Sequence, residues 1–156
     1  MTDSQESLFP QKPAKSFLSA APAITANIDG GARGNPGPAA YGVVIRNAKG
    51  EVIAELSEYV GLQTNNFAEY SALLAALEFA VRKNHPSLKV VSDSELMVRQ
   101  MNGQYKVSNP VLRELYARAQ SLVRKLENFS ITHVLREKNK DADRLVNKVL
   151  DERARR

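Results

Sequence analysis

The apolar residues of this chain change period once, near Thr64, and that change constrains the fold more than any other feature. Before it, residues 24–28, 41–46 (with Val43, Val44 and Ile45) and 51–59 (through Val52, Ala54 and Leu56) have strand-like patterns, the last two joined by the turn Asn47-Ala48-Lys49-Gly50. After it, Tyr70, Leu73, Leu74, Leu77 and Val81 fall on one helical face, which predicts a helix over 65–84 capped by Asn65 or Asn66. A short buried strand at 88–91 and a short helix at 94–101 follow. Asn109-Pro110 is a cap with proline at the first helical position and opens a helix to about residue 126. A strand at 129–135 and a helix at 140–153 complete the order βββαβααβα. Three strands on short turns form an antiparallel meander. The later strands are reached by helical crossovers, which require parallel pairing and are almost always right-handed. The expected α/β fold is a five-stranded mixed sheet with helices on its faces.

Residues 1–23, rich in Ser, Ala and Pro, show no sustained period and are expected to form a disordered arm ahead of one domain, 24–156. Asp3 and Glu6 precede any apolar stretch, and the longest such stretch is broken by Ser and Pro. No secretory signal is therefore expected, and the protein is placed in the cytoplasm. No apolar run approaches the ~18 residues of a membrane span. With no cysteine, disulfides, thiolate metal sites and a cysteine nucleophile are excluded, and two histidines leave little for a histidine metal site. The net charge of +5 lies wholly on 24–156 and suits a polyanionic partner.

Four acidic residues stand where a simple surface does not require them. Asp29 closes the first apolar stretch. Glu69 lies near the start of the first helix, Asp93 follows the buried strand at 88–91, and Asp143 lies in the first turn of the last helix. Each alone has an ordinary use as a turn residue, a cap or a complement to the helix dipole. Together they differ, because the topology brings the ends of the first and fourth strands side by side with the first helix over them. Carboxylates so close repel unless cations neutralise them. Oxygen ligands without Cys or His suit Mg²⁺ or Mn²⁺, and a pair of such ions about 4 Å apart serves phosphoryl transfer.

Four motifs carry these acids: Asp29-Gly30-Gly31-Ala32-Arg33-Gly34-Asn35-Pro36-Gly37-Pro38, Thr64-Asn65-Asn66-Phe67-Ala68-Glu69, Ser92-Asp93-Ser94 and Ala142-Asp143-Arg144-Leu145-Val146-Asn147. In this order the chain resembles type 1 ribonuclease H over residues 24–151. The resemblance implies the ribonuclease H-like sheet, order 3-2-1-4-5, with helices on both faces and strand 2 antiparallel to the rest. It implies that Asp29, Glu69, Asp93 and Asp143 are catalytic metal ligands for two Mg²⁺ or Mn²⁺ ions. It also implies hydrolysis of the RNA strand of an RNA–DNA hybrid to 5′-phosphate and 3′-hydroxyl products; a monomer is expected. By the same resemblance Asn35 contacts the hybrid in the minor groove, Thr64, Asn65 and Asn66 grip a phosphate of the DNA strand, and Glu95 touches RNA. A non-catalytic hybrid-binding module, or a nuclease for double-stranded RNA or junctions, is the alternative.

The chain departs from many members in two places. Gly103–Pro110 leaves no room for their basic protrusion, so the chain resembles a protrusion-less branch found in bacteria and archaea. Residues 99–125 carry six basic side chains against Glu114 alone, and Tyr105 and Lys106 are the candidate DNA-strand contacts. The loop before the last acid, Arg136-Glu137-Lys138-Asn139-Lys140-Asp141, lacks the mobile histidine of many members. Arg136 or Glu137 is its candidate substitute. His133, inside the predicted fifth strand, and His85, before Pro86, are given no such role.

Overall fold

The computed structural model describes residues 22–156. The arm expected at 1–23 falls almost wholly outside them. The elements are β1 (Ile24–Ala32), β2 (Gly37–Arg46), β3 (Val52–Gln63), α1 (Asn65–Arg82), β4 (Ser87–Ser92), α2 (Glu95–Met101), α3 (Pro110–Val123), β5 (Asn128–His133), a 3₁₀ turn (Arg136–Lys138) and α4 (Lys140–Ala154). They form one five-stranded sheet in the order β3-β2-β1-β4-β5. β1 pairs antiparallel with β2 and parallel with β4, β2 pairs antiparallel with β3, and β4 pairs parallel with β5. The expected topology holds.

Side-chain alternation along β1 decides what lies on each face. Ile24, Ala26 and Ile28 enter the main core with Val43, Leu73, Leu77 and residues of α2 and α3. Ala40, Val146 and Leu150 form a smaller cluster under α4 on the other face. In α1, Ala68, Ala72, Ala76 and Ala80 recur at four-residue spacing and are all fully buried, so the helix lies close to the sheet.

Two glycines set how close the helices come. A Cβ on Gly30 would lie 2.3 Å from the Ala68 carbonyl carbon and 2.4 Å from the Glu69 nitrogen. On the opposite face, a Cβ on Gly42 would lie 2.6 Å from the Ala142 oxygen. These contacts correct one expectation. The first strand, expected at 24–28, does not close at Asp29: β1 continues through Ala32, paired with Ala39, and Gly30 keeps the strand clear of the α1 backbone. The α1 cap is Thr64, whose Oγ1 accepts the Phe67 N–H at 3.1 Å, rather than Asn65 or Asn66. Among the described residues, no helix is long and apolar enough to cross a membrane.

Gly30→Ala is expected to destabilise the protein by about 1–3 kcal/mol or more, because the nearest atoms are backbone and cannot turn aside. Urea unfolding measures this, and an unchanged midpoint would contradict the close approach of α1.

Candidate active site

Three separate features of the fold bring the acids together. Parallel pairing places Ile28 opposite Ser92, so the next residues, Asp29 and Asp93, stand side by side at the ends of that ladder. The close approach of α1 at Gly30 carries Glu69 to the same point. Asp29 lies opposite Gly42 in the β1–β2 ladder, and the start of α4 descends onto the space Gly42 leaves, which brings in Asp143.

Oxygen atoms of Asp29, Glu69 and Asp93 lie within 4.8 Å of one another. Asp143 is outside that trio but lines the same cavity of about 690 Å³, and its charge helps raise the Asp29 carboxyl. Asp29 is 5% exposed, Glu69 9% and the Asp93 side chain 9%. Burial, then the Asp93 and Asp143 charges, push the Asp29 carboxyl up to about 8. Burial, then Asp29 and Asp93, hold Glu69 well above the usual carboxylate range. Asp93 is raised by burial while Arg136 opposes the shift.

Two buried oxygens, Glu69 Oε1 and Asp93 Oδ2, have no hydrogen-bond partner among the described residues. The Arg136 Nε is 4.0 Å from Asp93 Oδ2, close enough for charge attraction but too far for a hydrogen bond. Buried, acceptor-only oxygens left without donors are what a hard cation satisfies, and an all-carboxylate set matches Mg²⁺ or Mn²⁺. The residues present therefore fit a divalent metal centre. Of the two loop candidates, Arg136 lines the acidic cavity and Glu137 does not.

The other expected site residues divide into three groups. Asn35, Thr64 and Asn66 line a separate cavity of about 310 Å³ at the start of α1, together with Asn109 from the cap of α3. Asn65 instead lines the acidic cavity and ties the two together. Its Oδ1 accepts the Ala32 N–H at 2.8 Å, and its own N–H donates to Asn35 Oδ1 at 3.0 Å. Glu95 lies outside the acidic cavity and pairs with Arg99 at 2.9 Å. The Arg99 guanidinium in turn lies over the half-exposed Tyr105 ring, 5.4 Å from its centroid. The Lys106 carbonyl accepts from Gln100 Nε2 at 3.3 Å, and Gln100 Oε1 accepts the Tyr70 hydroxyl at 2.7 Å, so a buried polar chain fastens this loop to α1.

Sequence reasoning missed Asn139. Standing at the α4 N-cap, it makes no side-chain capping bond. Fully buried, it donates from Nδ2 to the Ile28 carbonyl at 2.7 Å and accepts from Asn27 Nδ2 at 3.1 Å. That cross-link secures the start of α4 beside Asp29, and its backbone oxygen accepts the Asp143 N–H at 3.2 Å. An asparagine before a helix reads as a cap, so no sequence signal marks the longer reach.

A carboxylate cluster on β1 and just beyond the carboxyl end of β4, crossed by α1 and α4, defines a candidate divalent-metal centre on a ribonuclease H-like fold. Comparison with known proteins narrows the class. The reverse transcriptase-like family matches residues 27–149. A solved N-terminal ribonuclease H domain from Mycobacterium tuberculosis is 41% identical, covers 86% of this chain with 98% of its own, and superposes with a TM-score of 0.83. Ribonuclease H1 of Halobacterium salinarum is 42% identical, with coverages of 83% and 98% and a TM-score of 0.80. LC11 ribonuclease H1, solved in complex with an RNA/DNA hybrid, is 44% identical, with coverages of 84% and 99% and a TM-score of 0.79. The chain belongs to the ribonuclease H1 family. It spans 35% of the full bifunctional mycobacterial relative and 65% of the full Halobacterium ribonuclease HI.

The raised Asp29 carboxyl has a signed consequence for stability. Between its ordinary 3.8 and about 8, the folded metal-free protein keeps a proton that the unfolded chain releases. The folded state then binds more protons, so stability falls as pH rises through that window. In EDTA, Asp29→Asn is expected to gain on the wild type as pH goes from about 4 to 8, with about 2–4 °C in Tm for each kcal/mol. A constant Tm difference across the window would contradict the carboxylate crowding.

Proposed function

We propose that the protein is an endoribonuclease that hydrolyses the RNA strand of RNA–DNA hybrids, leaving 5′-phosphate and 3′-hydroxyl ends. The observation that carries this reading is the trio of buried carboxylates with two unpartnered oxygens, in a chain of the ribonuclease H1 family. A module that only bound hybrid would gain nothing from burying mutually repelling acids. The hybrid bound to the LC11 relative supports the same substrate class.

In this reading Asp29, Glu69, Asp93 and Asp143 hold two Mg²⁺ or Mn²⁺ ions. Asp29 and Asp93 serve both or either ion, and Glu69 and Asp143 serve one each. Bound there, the ions supply Lewis-acid charge to the scissile phosphate and lower the pKa of the attacking water. The protein's own groups position the substrate. The cavity of Thr64, Asn66 and Asn109 at the start of α1 suits a DNA-strand phosphate, since helix N-termini favour anions. Asn65 links that cavity to the acids, so the two grips keep a fixed separation.

Asn35, its Oδ1 already engaged, has its amide N–H groups left to read the minor groove, where the RNA 2′-hydroxyl is exposed. Glu95 reaches RNA by leaving Arg99. Tyr105 and Lys106, on the fastened loop, contact the DNA strand in place of a basic protrusion. Contacts to backbone and 2′-hydroxyl carry little sequence information, so selectivity for sequence is low.

A cleavage panel of hybrid, double-stranded RNA and double-stranded DNA, run with Mg²⁺, Mn²⁺ or EDTA, tests this function. Only the hybrid is expected to be cut, and only with metal. Asp93→Asn is expected to abolish cleavage while the far-ultraviolet spectrum stays unchanged. Near wild-type cutting by that variant would remove the metal-site reading. Lys106→Ala is expected to lower the log–log salt slope of hybrid binding by about 0.7–0.9, with turnover at saturating hybrid little changed. An unchanged slope would retire the loop as a grip.

A further inference from the structure

The acidic cavity does not end at the four carboxylates. It runs along α4 past Val146 and Asn147 to Leu150, and Arg33 forms part of its wall. Arg33 lies in the turn between β1 and β2, directly after Ala32. Its Nη2 is 2.8 Å from Asp151 Oδ1 and 3.2 Å from Asn147 Oδ1. Asn147 donates in turn to the Asp143 carbonyl at 3.1 Å. The guanidinium is thus oriented by the same helix that presents the fourth acid.

Holding the turn in place is a poor explanation for this arrangement. The Arg33 and Asp151 side chains are 42% and 54% exposed, and such an ion pair contributes about 0–1 kcal/mol. The turn is already closed by Arg33 N–H to the Pro38 carbonyl at 2.9 Å and by the Asn65 bonds to Ala32 and Asn35. An arginine has five N–H donors, and among the described residues only those on Nη2 are engaged. Arg136 lines the same cavity beside Asp93. Two guanidinium groups therefore line one cavity together with the acids. That suits a polyanionic strand whose reacting phosphate lies over metal and whose neighbouring phosphates lie to either side.

We propose that Arg33 contacts a phosphate of the RNA strand along the α4 side of the acidic cavity, oriented for it by Asp151 and Asn147. A planar guanidinium held by a carboxylate on one edge offers its other edge to phosphate in the geometry that such pairs favour. The contact rests on the hybrid-cleaving function proposed above.

The test uses the full chain carrying Asp93→Asn, which is expected to hold hybrid without cutting it. Its binding to a short fluorescent hybrid is followed by anisotropy in Mg²⁺ across a salt series. Adding Arg33→Gln is expected to weaken binding about tenfold at moderate salt and to lower the log–log slope by about 0.7–0.9. Arg33→Lys, which keeps the charge, is expected to keep the slope even if affinity drops. Asp151→Ala is expected to keep it too, because Arg33 remains. If Arg33→Gln and Asp151→Ala weaken binding equally and neither moves the slope, Arg33 is only a staple and the proposal fails. If the Asp93→Asn parent binds no hybrid at any salt, the function reading fails and the contact falls with it.

Discussion

Asp29 is a carboxylate buried on the central strand of the sheet, with three more acids gathered around it. Burying one unpaired carboxylate is already costly, and adding like charges makes the site hostile to ionisation. The fold holds this crowd through backbone approach rather than through attraction between the side chains. α1 presses on Gly30, α4 presses on Gly42, and parallel pairing aligns Asp29 within β1 with the end of β4. The apolar core on one face, the smaller cluster under α4 on the other and the Asn139 cross-link supply the stability that lets the acids remain together. Their repulsion is then available as affinity for divalent cations, since binding a cation relieves it.

The two faces of the sheet contribute differently to the acidic cavity and its surroundings. Helix α1 links two cavities, because Asn65 faces the acids while Thr64 and Asn66 line the second. Helix α4 carries Asp143 and, through Asn147 and Asp151, the orientation of Arg33. The basic side chains between Arg99 and Lys125 lie on α2, α3 and the loops after them, and Arg99 spends its charge on Glu95 and Tyr105. The electrostatic design is an acidic centre with isolated guanidinium groups at its rim and a more distant basic surface, which suits a backbone-directed grip.

Much of this was legible in the sequence, for identifiable reasons. The change of period at Thr64 reports which segments bury one face as strands and which as helices, and topology follows from their order. The four acids were legible because carboxylates are conspicuous beside strands and helix starts. The extent of β1 was not. Asp29-Gly30-Gly31 carries the composition of a turn, and only the nearness of the α1 backbone explains why glycine sits inside an extended strand. Asn139 and Arg33 were illegible for a related reason. A polar residue before a helix and an arginine in a turn have common local uses, and their actual partners lie more than 100 residues away in sequence. Glu95 was legible as a candidate, but its pairing with Arg99 depended on how α2 presents its first turn.

Proton release on metal binding tests most directly the idea that crowded, buried carboxylates are the source of metal affinity. Asp29, pushed up to about 8, is protonated in the metal-free protein at neutral pH and must lose that proton to become a ligand. Isothermal titration with Mn²⁺ at pH 7, in two buffers of different ionisation enthalpy, counts the protons expelled. Close to one proton or more per active site is expected, falling as the pH is raised above about 8. Metal binding with no proton released at pH 7 would contradict it, because the acids would then already stand ionised without a cation.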